Sequence, residues 1–540
     1  MVLNLSMTET RYVFVTGGMI PSQCKAIVSA SLARLLLSRE YRVTIQRLDP
    51  HINIDMSMLD PYEYGECYVT ADGYETDLNS GHYERFTDIE MARANNVSAG
   101  RVYQSVMNKE RRGDYKGKAV KMVPHVTDEI KRSIVSLGDR GGYDFVIAEV
   151  GGAVNDLESM AFVEAVRQLN CELKQRSVCI HMMSVPSDLT LEALNDAAFM
   201  HSVETLQERG IEPDVLVLCS EQAVEQDMRE EIARLCKVDE ESVVQLMDSC
   251  QIYEVPLLLQ EQGLDAVVLS KTEVSSVQEA DLGCWKQLLD HLSNAEQSVK
   301  IGLVARCAEQ HDAYKSISES LFLAAAHNGR KLDLHYICSE DLNDGNAEKA
   351  LSGLDGVVVA PDYGLRGVEG KLVALKWCRE NDKPTLGIGL GMQCMAIEIA
   401  RNVLGLSGAN STEMDSRTPY NVIDMMREQK SECGIGGPMR LGSFRCVLQE
   451  GSRAAAAYGT TTISERHRHS YELNNAYREH LESAGVKCTG INPETGLVEV
   501  IELPGNRWYV GTQYHLEYNS TVFRPNPLLM DFVREAANKK

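Results

Sequence analysis

The sequence has no apolar run of about 18 residues, which is the length that a membrane-spanning helix needs. Its first residues, MVLNLSMTETR, contain neither a basic start nor an apolar stretch of ~7–15 residues, so no secretory signal is predicted. The 15 cysteines include no Cys-x-x-Cys pair. We therefore expect free thiols in a cytoplasmic protein, and neither a disulfide framework nor a zinc site.

Positive charge is also scarce. Lysine and arginine number 54 against 78 aspartate and glutamate residues, which gives a net charge of −24. Such a chain does not hold nucleic acid or an anionic membrane through its overall charge. We expect neither partner, and a nucleotide would have to be bound by local basic residues, backbone N–H groups and a metal ion.

The length and pattern of the chain predict two α/β domains. A chain of 540 residues exceeds the ~250–300 residues at which single cores stop growing. Predicted strands alternate with helices, which favours largely parallel sheets with helices on both faces. A stretch rich in Ser, Glu and Gln predicts a linker at 273–298, between a domain at 1–272 and a domain at 299–540.

A glycine-bearing loop follows the first predicted strand, Tyr12–Thr16, and precedes a helix predicted at Ala26–Ser38. The loop contains Gly17, Gly18 and Lys25, which is the outline of a phosphate cradle. Pro21 within it has no N–H to offer a phosphate oxygen. On these residues alone, a plain turn with a surface lysine is favoured over a phosphate site.

Longer strings show a resemblance that covers both halves of the chain. LDPHINID, YGECYVTADGYETDL, EVGGAVNDLES, GGPMRLG and ERHRHSYELNN resemble the CTP synthase family. The resemblance implies a P-loop-like amidoligase domain followed by a class I glutamine amidotransferase domain. It also implies a role in pyrimidine biosynthesis, in which ATP and Mg²⁺ phosphorylate the 4-oxygen of UTP. Ammonia released from glutamine would then displace the phosphate to give CTP.

The chain departs from the family pattern at the glutaminase nucleophile. The family reads G-I-C-L-G-M-Q, whereas this chain has Gly389 in place of the cysteine. A thioester route needs a thiolate, which glycine cannot supply. Cys394 lies five residues further on, and we expect it to be a buried residue that faces away from the turn.

Neighbouring glutaminase positions are partly changed. The family's oxyanion loop, P-G-G-F-G-Y-R-G, corresponds to 360–367, and its predicted members are Pro361, Asp362 and Gly364. Pro361 offers no N–H donor, and we expect the Asp362 carboxylate to repel an oxyanion. His515 and Glu517 match the family's base and its orienting acid.

The R-H-R-H-R segment, which the resemblance assigns to glutamine recognition, ends here in Ser470. A carboxylate-binding guanidinium is therefore absent. His467 and His469 alternate along the same strand and could suggest a metal site. A structural role is favoured, because no carboxylate or cysteine cluster lies nearby in the sequence.

In the amidoligase half, the resemblance implies a metal site at Asn79 and Glu149. Asn79 stands where the family has Asp, and an amide oxygen is a poorer ligand for a hard dication. Arg47 replaces the family lysine that contacts phosphates, and Lys25 is retained. We expect ATP and Mg²⁺ to bind, but more weakly than in the family.

The predicted UTP site is altered further. The family stretch K-T-K-P-T-Q aligns with residues from Asn195 to Met200, and another family lysine aligns with Glu231. Each lost cation removes on the order of 1 kcal/mol or more of binding to a triphosphate. Asp156 and Glu158, which match the family's base- and ribose-recognition residues, remain.

Three hypotheses follow from these departures. The first is a pseudoenzyme that pairs with an active CTP synthase or acts as a binding module. The second is a ligase that uses free ammonia or another amine on UTP or a different substrate. Ordinary glutamine-dependent CTP synthase, the third, is nearly excluded by Gly389. The strings GHYERF and KERRGDY match family assembly regions, so we expect a homotetramer or a mixed oligomer with an active relative.

Overall fold

The computed structural model describes residues 10–187, 189–190, 194, 200–247, 251–275, 278–306, 308–425 and 439–538. The chain forms two compact units, and neither is continuous in sequence. The first comprises the chain up to residue 56 together with 82–285, and the second comprises 57–81 together with 286–540. Elements are numbered along the chain through both units.

The first unit is built on a seven-stranded sheet. Its strands are β1 (Arg11–Gly17), β2 (Val43–Asp49), β5 (Asn96–Ser98), β6 (Phe145–Val150), β7 (Ser177–Ser184), β8 (Val215–Ser220) and β9 (Val243–Met247). Their order is β5-β2-β6-β1-β7-β8-β9, and every neighbouring pair is parallel. β6 is buried along its whole length, as expected for a parallel strand with both faces covered.

Helices connect these strands or follow the last of them. They are α1 (Ser22–Ser38), α4 (Ala99–Arg111), α5 (Thr127–Gly141), α6 (Met160–Leu173), α7 (Met200–Glu208), α8 (Gln226–Cys236), α9 (Val255–Glu261) and α10 (Leu264–Lys271). Helix α1 begins four residues earlier than predicted, directly after Pro21, whose φ of −54° is compatible with a helix start. Helix α3 (Leu78–Thr87) and helix α11 (Gly283–Asn294) each run across a boundary between the sequence ranges of the two units.

The second unit contains a nine-stranded mixed sheet. Its strands are β10 (Ser298–Ala305), β11 (Lys331–Cys338), β12 (Gly356–Val359), β13 (Thr385–Ile388), β16 (Arg440–Leu448), β17 (Thr462–His469), β19 (Lys487–Ile491), β20 (Val498–Glu502) and β21 (Tyr509–Thr512). The order is β11-β10-β12-β13-β21-β20-β19-β16-β17. Pairs from β11 to β21 are parallel, and pairs from β21 to β17 are antiparallel.

The second unit also contains short strands outside the nine-stranded sheet, and helices. They are α2 (Pro61–Tyr64), the hairpin β3 (Tyr68–Val69) and β4 (Glu75–Thr76), the strands β14 (Ala409–Ser411), β15 (Tyr420–Met425) and β18 (Tyr471–Leu473), and the helices α12 (Lys315–His327), α13 (Ala347–Leu351), α14 (Val368–Glu380), α15 (Leu390–Asn402), α16 (Arg453–Tyr458), α17 (Arg478–Ser483) and α18 (Pro527–Ala537).

Two apolar cores cover the faces of the nine-stranded sheet. One contains residues of α14 and α15, and the other contains residues of α12 and α18. Successive side chains of β12 enter alternate cores, since Val357 and Val359 belong to one and Val358 to the other. The predicted α/β class with parallel strands and helices on both faces is therefore confirmed, although the antiparallel half of this sheet was not predicted.

The predicted linker at 273–298 contains helix α11 and ends where β10 begins. Within the ranges that the structure describes, no helix combines the length and the apolar character needed to cross a membrane.

Candidate active site

A sharp turn joins strand β13 to helix α15 in the second unit. Gly389 forms this turn with φ 54° and ψ −112°, and its N–H donates a hydrogen bond of 2.7 Å to the Thr512 carbonyl oxygen. Residues with a side chain rarely adopt this positive φ. Position 389 thus has the strained strand–turn–helix geometry of a nucleophile elbow, and we call this turn the elbow.

The space beside the elbow is bounded by two predicted site residues. A Cβ at position 389 would lie 3.6 Å from His515 Nε2 and 3.2 Å from Pro361 Cβ. A side chain placed there would therefore reach the histidine, but Pro361 would crowd it.

His515 and Glu517 form a buried hydrogen-bonded pair next to the elbow. His515 Nδ1 and Glu517 Oε1 are 2.7 Å apart, and the Tyr518 ring stacks on the imidazole with centroids 5.0 Å apart. This arrangement directs Nε2 of the histidine towards position 389, where a base would take a proton from a nucleophile. The elbow supplies no group from which to take one.

The oxyanion loop differs from the expectation in one respect. Asp362 pairs with the fully buried ammonium of Lys371 and accepts a hydrogen bond of 2.8 Å from the Tyr314 hydroxyl. Because a lysine balances its charge, the expectation that Asp362 would repel an oxyanion is corrected. The Gly364 N–H donates to Glu413 Oε1 over 2.7 Å, and burial raises the pKa of Glu413.

A cavity of about 750 Å³ in the second unit is lined by Gly389, His515, Glu517 and Asp362. Ser470 lines it at the position where the family pattern has arginine. Arg468 also lines it, but its Nε donates to Glu75 over 2.9 Å. The Arg468 guanidinium, two residues before Ser470, is therefore already paired with the Glu75 carboxylate.

Part of the cavity comes from a segment that the sequence reasoning assigned to the other domain. Residues 57–81 belong to the second unit, and Ser57, Glu66 and Cys67 line the cavity. Glu66 accepts a hydrogen bond of 2.8 Å from the Ser316 backbone N–H. No local signal marks this segment, because the contact joins residues 250 positions apart.

Two other cysteines near the elbow offer no replacement nucleophile. Cys394 is fully buried in α15, and burial raises the pKa of its thiol to about 12. Cys67 lines the cavity, but burial raises the pKa of its thiol to about 12 as well. Since the thiolate is the reacting form, this shift disfavours both cysteines as nucleophiles near neutral pH.

His467 and His469 contact each other. His467 Nδ1 and His469 Nε2 are 2.8 Å apart, and burial holds the pKa of both well below the usual range. Across the described ranges, no group of three or more His, Cys, Asp or Glu side chains is arranged to hold a metal. The structural role that the sequence favours for these histidines stays a prediction.

A buried carboxylate anchors the strand that carries these histidines. Glu465 on β17 accepts hydrogen bonds from Tyr458 (2.8 Å), Asn519 (2.6 Å) and Asn526 (3.2 Å). Burial raises the pKa of Glu465 to about 7, although the three hydrogen bonds oppose the shift.

Glu465 should make stability fall as pH rises. Its pKa is higher in the folded chain than the usual 4.5, so its stabilising effect is complete below about pH 4.5 and is lost as pH passes about 7. We expect Glu465→Gln to remove on the order of 3 kcal/mol of this pH dependence. Thermal unfolding at pH 5 and pH 8 measures it, and equal pH slopes in both proteins would contradict it.

In the first unit, the predicted phosphate loop buries its lysine. Lys25 is 2% exposed, and its ammonium donates to the carbonyl oxygens of Val150 (3.0 Å) and Gly152. Burial lowers its pKa to about 8. The prediction of a plain turn with a surface lysine is therefore wrong, because this lysine is buried.

Close packing explains why one position of the loop, Gly18, is occupied by glycine. A Cβ at Gly18 would lie 2.8 Å from the Ser202 Cβ, and one at Gly17 would lie 3.0 Å from the Ile20 Cδ1. The first contact is too short for any side chain without a shift of α7.

Arg47 and Glu149 form a buried ion pair in the same unit. Arg47 Nη1 and Glu149 Oε1 are 2.5 Å apart, and the Tyr83 hydroxyl donates to Glu149 Oε2 over 2.6 Å. Arg47 Nη2 also donates to Ser22 Oγ over 3.3 Å. The sequence reasoning assigned Arg47 to phosphate and Glu149 to metal, and did not predict that they pair.

The remaining predicted nucleotide residues are spread over the first unit. Asp156 is exposed and accepts a hydrogen bond of 2.9 Å from the Ala153 N–H, and Glu158 is exposed. Glu231 lies on α8 and pairs with Arg234 at the surface. Met200 is buried at the start of α7, and Asn195 lies outside the described residues.

Two family models match the chain, one in each half of its sequence. The family model described as CTP synthase N-terminus matches residues 11–274, and the model described as glutamine amidotransferase class-I matches 310–535. A CTP synthase of Bacteroides fragilis is 51% identical over 533 residues, which cover 99% of this chain and 100% of the relative. A CTP synthase of Porphyromonas gingivalis is 52% identical over 530 residues, which cover 98% of each chain.

The chain belongs to the CTP synthase family. Among solved structures, the glutaminase domain of a Trypanosoma brucei CTP synthase with bound acivicin is 34% identical and aligns with a TM-score of 0.43. That alignment covers 45% of this chain and 95% of the solved domain.

CTP synthases in general use ATP and Mg²⁺, so the residues of this chain can be tested against a metal ion. Both oxygens of Glu149 are already engaged, by a guanidinium and by a phenol. Asn79, in the second unit, is buried and its Nδ2 donates to Asp77 Oδ2 over 3.3 Å. Divalent magnesium prefers carboxylate oxygens that are free to coordinate. Glu149 as it stands therefore does not fit a divalent cation.

Proposed function

We propose that this chain is a CTP-synthase-like protein of pyrimidine nucleotide metabolism that does not hydrolyse glutamine. The observation that carries the proposal is Gly389 at the elbow. His515 Nε2 stands 3.6 Å from where a Cβ would be, and Glu517 is hydrogen-bonded to the other ring nitrogen, yet position 389 carries no thiol. Without a nucleophile, the thioester route has no first step.

The test of this proposal is glutamate release. We expect the native chain to release glutamate from glutamine no faster than its His515→Ala variant, because the histidine has nothing to activate. An electrophilic glutamine analogue should leave the elbow peptide unmodified in mass spectrometry. The Bacteroides fragilis relative serves as the positive control, and release above the His515→Ala level would contradict the proposal.

We further propose that the chain is a regulatory partner in the cytoplasm, as a homotetramer or as a mixed oligomer with an active CTP synthase. This proposal is supported by where the changes lie. They fall at positions that the family uses for catalysis and nucleotide binding, while about half of the whole sequence is identical to CTP synthases. Weakened binding of ATP and UTP belongs to the same proposal. Light scattering of the chain, alone and co-expressed with an active relative, measures the assembly.

A second candidate function is a ligase that uses free ammonia or another amine with UTP or a related substrate. It is favoured by the matched N-terminal family model and by Asp156 and Glu158, which stay exposed. Formation of CTP from UTP, ATP and ammonium would support this function. The regulatory proposal instead expects UTP to bind at least ~100-fold more weakly than in an active relative, from two lost charged contacts of ~1.5 kcal/mol each.

A further inference from the structure

The Arg47–Glu149 ion pair is built into the register of the first sheet. Arg47 on β2 is the direct partner of Glu149 on the neighbouring parallel strand β6. Adjacent register partners place their side chains on the same face. Arg47 and Glu149 are 6% and 0% exposed, so solvent does not separate the two charges.

The guanidinium also reaches the phosphate loop. It lies between Glu149 and the Ser22 hydroxyl, with contacts of 2.5 Å and 3.3 Å. Ser22 is the first residue of α1, directly after the glycine-bearing loop. In phosphate-binding loops of this kind, a loop hydroxyl and a carboxylate from a neighbouring strand are the two groups that a magnesium ion bridges.

Arginine is suited to this position in a way that lysine is not. Its planar fork donates in two directions at once, whereas an ammonium on a flexible stem is a single point charge. Tyr83 completes the arrangement, because its hydroxyl occupies the second oxygen of Glu149. A cation that approached Glu149 would have to displace a buried guanidinium and break both contacts.

We propose that the Arg47 guanidinium permanently takes the place of the divalent cation at Glu149. The first unit then binds no metal at this carboxylate, and any polyphosphate at the loop meets a fixed monovalent cation in place of a dication. This inference depends on the residues of the first unit and not on the loss of glutaminase activity. The two proposals can therefore fail separately.

Manganese binding to the full chain without nucleotide tests the inference. Free Mn²⁺ is counted by electron paramagnetic resonance for the native chain, Arg47→Ala, Glu149→Gln and the double variant. We expect the native chain to bind no more Mn²⁺ than Glu149→Gln, which sets the background from surface carboxylates. Arg47→Ala should gain one Mn²⁺ site that binds at least tenfold more tightly than the background sites of Glu149→Gln. The double variant should lack this site.

Two results would overturn the inference. Mn²⁺ binding by the native chain that disappears in Glu149→Gln would show that the guanidinium does not exclude the metal. Failure of Arg47→Ala to gain a site would show that the guanidinium is not what prevents binding. Arg47→Lys, which keeps a positive charge beside Glu149, replaces Arg47→Ala if thermal unfolding shows that the alanine variant is not folded. Because lysine frees the Ser22 side of the site, it should gain Mn²⁺ binding in part.

Discussion

The triple variant Gly389→Cys/Pro361→Gly/Ser470→Arg is expected to release glutamate from glutamine at least ~100-fold faster than the native chain. A thiol at 389 would start from a Cβ 3.6 Å from His515 Nε2. Glycine at 361 restores an N–H donor and removes the Cβ that lies 3.2 Å from the elbow side chain. One oxyanion donor alone is worth about 10²–10³ in rate. A coupled assay for glutamate measures the gain.

The single variant Gly389→Cys is the matched control. We expect its glutamate release to stay at the native level, because Pro361 still crowds the thiol and offers no donor. Its thiol should nevertheless react with iodoacetamide faster than the buried Cys394, since His515 lies within reach. A single variant as active as the triple variant would show that Pro361 and Ser470 do not limit catalysis.

Replacement of Lys371 by methionine is expected to destabilise the chain by about 3–5 kcal/mol. Lys371 is fully buried, donates to the Ala360 carbonyl oxygen over 2.7 Å and pairs with Asp362. Its loss leaves a buried carboxylate with no cation beside it. Urea denaturation measures the change in the free energy of unfolding.

Two further variants isolate the cause of this destabilisation. Lys371→Met/Asp362→Asn removes both charges and should recover much of the lost stability. Arg234→Ala breaks the exposed pair with Glu231, and we expect it to change stability by less than about 1 kcal/mol. Equal losses in the single and double variants at 371 and 362 would show that packing, and not the unpaired charge, is responsible.

Local pattern was sufficient for the elements on which the site is built. Strands Phe145–Val150 and Thr385–Ile388 coincide with apolar runs of the sequence, and helix α15 begins at Leu390, directly after the glycine of the elbow. An apolar run and the turn residues at its ends lie next to one another in the sequence, so the bounds of such a strand can be read locally. The elbow position could be found for the same reason, since a strand, a glycine turn and a helix follow one another directly.

Ion pairs between distant residues could not be predicted in this way. Arg47 and Glu149 are 102 positions apart, and sequence spacing does not show that β2 and β6 are neighbours. Lys371 and Asp362 are only nine positions apart, but nothing in the sequence indicates that this lysine is buried. A buried charge is recognised only from the groups that surround it.

The position of residues 57–81 in the second unit has a consequence for synthesis of the chain. Tyr68 in this segment contacts Arg466, which is made 398 residues later. At about 5–20 residues per second, the ribosome needs roughly 20–80 s to deliver that partner. During this interval Tyr68 and Val69, which form strand β3 of the hairpin, lack their later-made partners Arg466 and Tyr518. The nascent chain is therefore open to chaperones and proteases at this segment until its C-terminal third has left the ribosome.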